Sequence, residues 1–256
     1  MSKLIAVISP AKLLDDQTHY PNLPCTQPEF TAEAKKLAAL LQKMSAAELS
    51  KLMAMSSALG KETELKFKQW QLPFSHENAH PALLMFKGEV YRGLQAEELH
   101  LKQLEFAQKH VRILSGLYGI LRPLDLIMPY RLMMGTPLTI GKTHKNLYAF
   151  WSEKITTHLD QALDKKGTLM DLASSEYFKS IDLKTLNRKV ISCEFRQKKG
   201  NDYVVVNTYA KSARGKMTRF IIDNAITKAD DCRAFDYDGY SLLDGRSDGE
   251  RFVFVR

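Results

Sequence analysis

Five apolar residues in an unbroken run, Leu4-Ile5-Ala6-Val7-Ile8, constrain the fold of this 256-residue chain more than any other feature. The run is far short of the roughly 18 residues that span a bilayer. Ser9-Pro10-Ala11-Lys12, which follows, is no cleavage site for a secretory leader. The run reads as a buried strand, and a strand buried along its whole length needs a sheet with helices packed on it.

The helices are legible downstream. From Glu29 to about Leu59 apolar residues return at helical spacing (Leu37, Leu40, Leu41, Met44, then Leu49, Leu52 and Met53), and Ser45 with Glu48 makes a capping box. This predicts two helices, with a third over Lys61–Trp70, another over Glu97–His110 and a long amphipathic one over Asn146–Leu163. Pro21, Pro24 and Pro28 mark an irregular loop ahead of them. Strand signals follow at Thr168–Leu172, Lys189–Phe195 and Tyr203–Thr208. The polar cluster between Phe195 and Tyr203 predicts a hairpin loop, and Ala234–Tyr240 with Arg251–Val255 a second hairpin. No repeat, low-complexity linker or composition break divides the chain, and its 45% hydrophobic content is ample for a core. The expectation is a single α+β domain over residues 1–256, a mixed sheet flanked by helices. Local sequence does not set the strand order.

The formal net charge is +8, and it is concentrated: between Arg196 and Arg219 lie seven basic residues and one acid, Asp202. A cationic face gathers anions, nucleic acid foremost, although a basic surface can also be merely solvated. A helix is expected from near Lys211 to Ile226, with Met217, Phe220 and Ile221 inward and Lys211, Lys216 and Arg219 on another arc. Lys211, Arg214 and Lys216 would crowd its N-terminus, where cations are disfavoured by ~0.3–1 kcal/mol each. A bound anion would relieve that conflict. Gly215 would let a backbone or a phosphate come close.

Other motifs carry less. Cys25, Cys193 and Cys232 are far apart with no C-x-x-C, which argues against a disulfide framework or a cysteine zinc site and fits a reducing cytoplasm. His76-Glu-Asn-Ala-His80 matches H-E-x-x-H, but the ring of Pro81 would clash with the carbonyl of Glu77. The pair is therefore expected in the first turn of a helix capped by Ser75, without zinc. Leu114–Asp125, with Gly116 and Gly119, reads either as a glycine-bounded phosphate-binding hairpin or as a core turn. Phe86–Leu94 reads as a polar turn carrying Lys87 and Arg92. Asp171, Ser174 and Glu176 are acid–base candidates at a strand end. No metal-ligand set and no cofactor motif is visible, so neither a metal nor a cofactor is expected.

Taken together these segments resemble one family. Ile8-Ser-Pro-Ala-Lys12, Phe86-Lys-Gly-Glu-Val-Tyr-Arg-Gly-Leu94, Leu114-Ser-Gly-Leu-Tyr-Gly-Ile-Leu-Arg-Pro-Leu-Asp125, Pro129-Tyr-Arg131, Glu176-Tyr-Phe-Lys179 and Ala210-Lys-Ser-Ala-Arg-Gly-Lys-Met217 look like the motifs of the YaaA peroxide-stress proteins, in order along nearly the whole chain. Met133 and Ser175 stand where the family usually has acids, so no acid–base role is carried over there. The resemblance implies an unusual fold with a basic cleft and a helix-hairpin-helix element. It also implies DNA binding and a part in limiting iron and peroxide damage in the bacterial cytoplasm, with no reaction attached.

On that footing Lys12, Lys87, Arg92, Arg122, Arg131, Lys179, Lys211, Arg214, Lys216 and Arg219 are expected to line a DNA cleft. Binding would be salt-sensitive and would follow shape rather than sequence. The expected partner is DNA, as duplex, distorted duplex or single strand, with no membrane and no obligate protein partner. The alternative is an enzyme acting on a nucleotide or another phosphorylated small molecule in the same cleft, with Asp125, Tyr130, Asp171 or Glu176 moving protons.

Overall fold

The unbroken apolar run forms a strand buried at all five positions, β1 (Leu4–Ile8). The computed structural model describes residues 3–20, 22–200 and 202–256. Met1 and Ser2, Pro21 of the expected loop and Asn201 of the expected hairpin lie outside the described residues. Helices α1 (Thr31–Leu41), α2 (Ala46–Leu52) and α3 (Ser57–Gln69) come next. The capping box forms as its spacing requires: Ser45 Oγ accepts from the Glu48 N–H, and the Glu48 carboxylate accepts from the Ser45 N–H at 2.8 Å. There follow α4 (Glu89–Leu94), α5 (Leu101–His110), β2 (Val111–Ser115), β3 (Gly119–Leu121), α6 (Leu147–Ala162), β4 (Thr168–Leu172), β5 (Lys189–Lys199) and β6 (Asp202–Val204). Helix α7 (Asn207–Asp223) and strands β7 (Ser241–Leu242) and β8 (Arg251–Val255) complete the chain.

The sheet runs β7-β8-β5-β4-β1-β2-β3, with β6 paired to β5. Its five central strands, β8, β5, β4, β1 and β2, are parallel. Strands β3, β6 and β7 are antiparallel to their neighbours. The molecule is thus one α+β domain with a mixed sheet: α5 packs on β1 and β2, α6 on β3, and α7 on β4 and β5. From β1 the chain first builds to one side, through β2 and β3, and then to the other, through β4 and β5. The connections therefore diverge at the carboxyl ends of β1 and β4, the crevice where parallel sheets take up ligands. Among the described residues no helix is long and apolar enough to cross a membrane.

Three local expectations are corrected, and one that was open between two readings is decided. The Val204-Val205-Val206 run suggested a strand to Thr208, but pairing with β5 ends at Val204 opposite Gln197. Val205 and Val206 stay exposed, and α7 begins at Asn207. Packing of α7 on α4 and the sheet overrides the β preference of valine. Ala234–Tyr240 is not a strand. Asp238 and Gly239 hold positive φ (62° and 74°), and Phe235 and Tyr240 turn into an aromatic cluster with Phe195 and Phe254. His76–Asn78 is a turn and not a helix: the N–H groups of Asn78 and Ala79 both donate to the Ser75 carbonyl, and His80 enters a short pairing with Ile127. Finally, the Leu114–Asp125 segment is the β2–β3 hairpin of the sheet edge. Gly119 sits at φ 71° with the Trp151 ring where its Cβ would be, so the two glycines serve the core.

Candidate functional site

A cleft of about 490 Å³ opens at the carboxyl ends of β1 and β4, where the sheet connections diverge. Its floor is tied together by two hydroxyls. Ser9 Oγ donates to Ser174 Oγ at 3.1 Å and accepts the Ser174 N–H at 2.8 Å, while the buried Tyr91 hydroxyl donates to the Ser9 carbonyl at 3.1 Å. Leu13, Val90 and Met133 supply apolar wall. A second cleft of about 350 Å³ adjoins it, sharing Met133 and Glu176 and reaching the Leu52–Ala54 turn.

Helix α7 brings the cations of the basic segment, and its seating depends on α4. A Cβ on Gly215 would overlap the Val90 carbonyl oxygen, and one on Gly93 would overlap that of Ser212. The two backbones therefore cross in direct contact. This decides one expectation and corrects another. The close approach at Gly215 is to the α4 backbone, not to a phosphate. Because α7 starts at Asn207, Lys211 lies beyond its first turn and Arg214 and Lys216 stand in mid-helix. No crowding of cations at a helix N-terminus remains to be relieved.

What the crossing does is aim Arg214 into the cleft. Its guanidinium makes no hydrogen bond or ion pair with the described residues, and its Nε is buried without a partner. Arginine carries five donors, and leaving them unmet in a half-buried place costs free energy. Lys12 and Lys211 also line the cleft and have no acid within ion-pair distance among the described residues. Lys87 lies 3.7 Å from Asp15. Arg131 does not line the cleft, but its guanidinium lies 3.5 Å from the carbonyl of Lys12, which does.

The remaining expected cations are elsewhere or occupied. Arg92 is exposed and bound to Glu89 at 2.6 Å. Lys216 holds Asp238 at 2.8 Å. Arg219 is held by Asp223 of its own helix at 2.8 Å and ties α7 to the end of α4 through Glu98 at 3.4 Å and the Leu94 and Gln95 carbonyls. Arg122 grips the buried Asp125 at 3.0 Å and the Gln27 carbonyl, away from the cleft. Lys179 is exposed just after the Ser175–Phe178 turn.

Two acids also line the cleft. Glu89 is engaged by Arg92, and Glu176 accepts the Gly135 N–H at 3.1 Å. Beneath Arg214 lies Asp171. Burial pushes its carboxyl up to about 6, against the opposing pull of the Ala173 N–H at 2.9 Å and the Arg214 charge. Asp125 and Tyr130 do not line the cleft; Asp125 is bound by Thr26 and Arg122, and Tyr130 by Ser115 at 2.7 Å. Ser9, Val90 and Met133 were not singled out as site residues from sequence, since nothing local distinguishes them from core. His80 Nδ1 lies 3.1 Å from the Thr18 carbonyl, and among the described residues no group of three or more His, Cys, Asp or Glu is placed to hold a metal ion.

A family model described as peroxide stress protein YaaA matches residues 4–245. A UPF0246 protein of Aliivibrio fischeri strain MJ11 is 43% identical over 255 residues, covering 99% of this chain and 98% of its own length. A UPF0246 protein of Idiomarina loihiensis is likewise 43% identical over 255 residues, with the same coverage.

Proposed function

Because the chain belongs to the YaaA family of peroxide stress proteins, we propose that it binds DNA in the response to peroxide and limits iron- and peroxide-driven damage there. One observation carries the DNA reading: Arg214, Lys12 and Lys211 surround one cleft with no acid partner among the described residues. Cations left free around a cavity are matched by phosphates, which give affinity without sequence preference. Lys87 adds a further cation to the lining, and Arg131 one beside Lys12. The helix-hairpin-helix element that the family resemblance implies is best matched by α2, the Met53–Ser56 turn and α3. These helices pack so closely that a Cβ on Gly60 would overlap the side chain of Ser50, and their turn borders the adjoining cleft.

A salt series of fluorescence anisotropy on labelled duplex, bulged and single-stranded DNA tests this reading. Steeply salt-dependent binding that is lost in Lys12→Glu/Lys211→Glu/Arg214→Gln supports it. Absence of binding by the intact protein at low salt overturns it.

A second reading, an enzyme for a nucleotide or another phosphorylated small molecule, is favoured by the size of the cleft and by the half-buried Asp171 next to it. Small-molecule sites run to roughly 300–1,000 Å³, and a carboxyl that titrates near neutrality is suited to moving protons.

A further inference from the structure

The number of free charges in the cleft specifies more than phosphate. Arg214, Lys12 and Lys211 bring three positive charges to a space of about 490 Å³. Of the acids in the lining, Glu89 is paired with Arg92, while Glu176, which accepts the Gly135 N–H, keeps its charge, and Asp171 offsets part of that of Arg214, so the cations still outnumber the acids. Lys87 is partly offset by Asp15. An internal phosphodiester carries one negative charge, whereas a terminal monoester carries about 1.5 to 2 at neutral pH. Size points the same way. A duplex, whose major groove alone is about 12 Å across, does not enter a cleft of this volume, but one nucleotide does. Ser174 adds a hydroxyl on the floor. Its Oγ accepts from Ser9 and caps no helix, which leaves its proton for an oxygen of the ligand.

We propose that the cleft captures a terminal phosphate monoester on a single nucleoside monophosphate unit, with Arg214, Lys12 and Lys211 meeting the dianion and Leu13, Val90 and Met133 facing the nucleoside. This rests on the phosphate-binding reading above and deepens it. The unit has two sources, a free mononucleotide or the phosphorylated end of a broken DNA strand, and the cleft meets both through the same chemistry.

The test uses the full chain and labelled oligonucleotides of one sequence, ending in a phosphate or in a hydroxyl. Unlabelled dAMP and deoxyadenosine serve as competitors, and dAMP is also used in thermal melts. The expected result is about tenfold tighter binding of the phosphate-ended strand, the worth of one charge-assisted contact. dAMP should displace it and deoxyadenosine should not. Arg214→Gln should erase the end preference. Lys12→Gln, at a side chain with no described partner, should weaken it severalfold and carries the test if the arginine variant fails to fold. Equal binding of both ends with no displacement by dAMP overturns the inference and leaves DNA binding standing. Failure of every oligonucleotide to bind, together with a melting shift from dAMP that Arg214→Gln abolishes, keeps the inference with the free nucleotide as its source and overturns DNA binding. No response to any of these ligands overturns both.

Discussion

Gly215 lies against the carbonyl oxygen of Val90 so closely that no side chain fits between α7 and α4. Gly215→Ala should therefore destabilise the fold despite the ~1 kcal/mol that alanine gains over glycine within a helix. The clash is with backbone, which cannot rotate away, and overpacking of this kind costs about 1–3 kcal/mol or more. Urea unfolding should show a lower midpoint, and the forced separation should also weaken anion binding by displacing Arg214. A midpoint unchanged or raised would show that the helices slide apart freely.

Arg219 should act on stability rather than on ligand. It bridges Asp223, Glu98 and two carbonyls at the end of α4. Hydrogen bonds to charged groups are worth roughly 1.5–3 kcal/mol each, discounted where solvent reaches them. Arg219→Ala should cost on the order of 2 kcal/mol in urea melts while leaving the salt slope of DNA binding unchanged. By contrast, Lys211→Gln should leave stability intact and lower that slope by about one.

Asp171 should make the protein less stable as pH rises. Its folded value of about 6 lies above the ordinary 3.8 because burial disfavours the charge. Between those values the folded protein holds a proton that the unfolded chain releases, so stability falls across that window and stays reduced above it. Asp171→Asn removes the dependence. It should match wild type near pH 4 and exceed it by on the order of 2–3 kcal/mol at pH 7. Chemical denaturation of both proteins across pH 4–8 measures the gap.

His158 pulls in the opposite direction. Burial and the nearby Arg112 hold its ring down at about 4, against an ordinary 6.5, and the ring accepts from Arg112 Nε at 3.3 Å. Between those values the unfolded chain binds a proton that the folded protein refuses, so stability is lost as pH falls from 6.5 towards 4. His80 and His110, also lowered by burial, add to this trend. Wild type should thus show a shallow profile between pH 4 and 6, where the two effects oppose. Asp171→Asn should unmask a rise with pH, and His158→Gln should unmask a fall, because each leaves the other group's trend less opposed. Two identical profiles would refute the assignment.

Local pattern carried the secondary structure well where one period dominated. The β1 run, the Ser45 capping box and the α6 face on Leu147, Phe150, Trp151, Ile155 and Leu159 were all readable, because burial and capping there are decided within a few residues. It failed where partners distant in the chain decide. Val205 and Val206 look like strand but have none to pair with, and the Ala234–Tyr240 segment turns at Asp238-Gly239 instead of extending. The cleft was legible only in its charges. Lys211 and Arg214 stand out in any composition scan, but their neighbours come from the loop after β1, the turn before α4 and the end of β4. Nothing in a single sequence says that these ends converge. Nor does it separate Arg214, left without partners, from Arg219 five residues on, which is bound on three sides.

Strand β1 lies in the middle of the sheet, yet Ala6 pairs with Val111 on one edge and Met170 on the other. On the ribosome, then, the first strand made must wait for more than a hundred residues of further synthesis before either neighbour exists. Domains dominated by such distant pairings fold slowly and expose apolar segments while they do. Five fully buried residues of the folded protein are thus among the longest unprotected during its birth. Holdase chaperones that shield nascent chains should associate with this one until β4 has emerged.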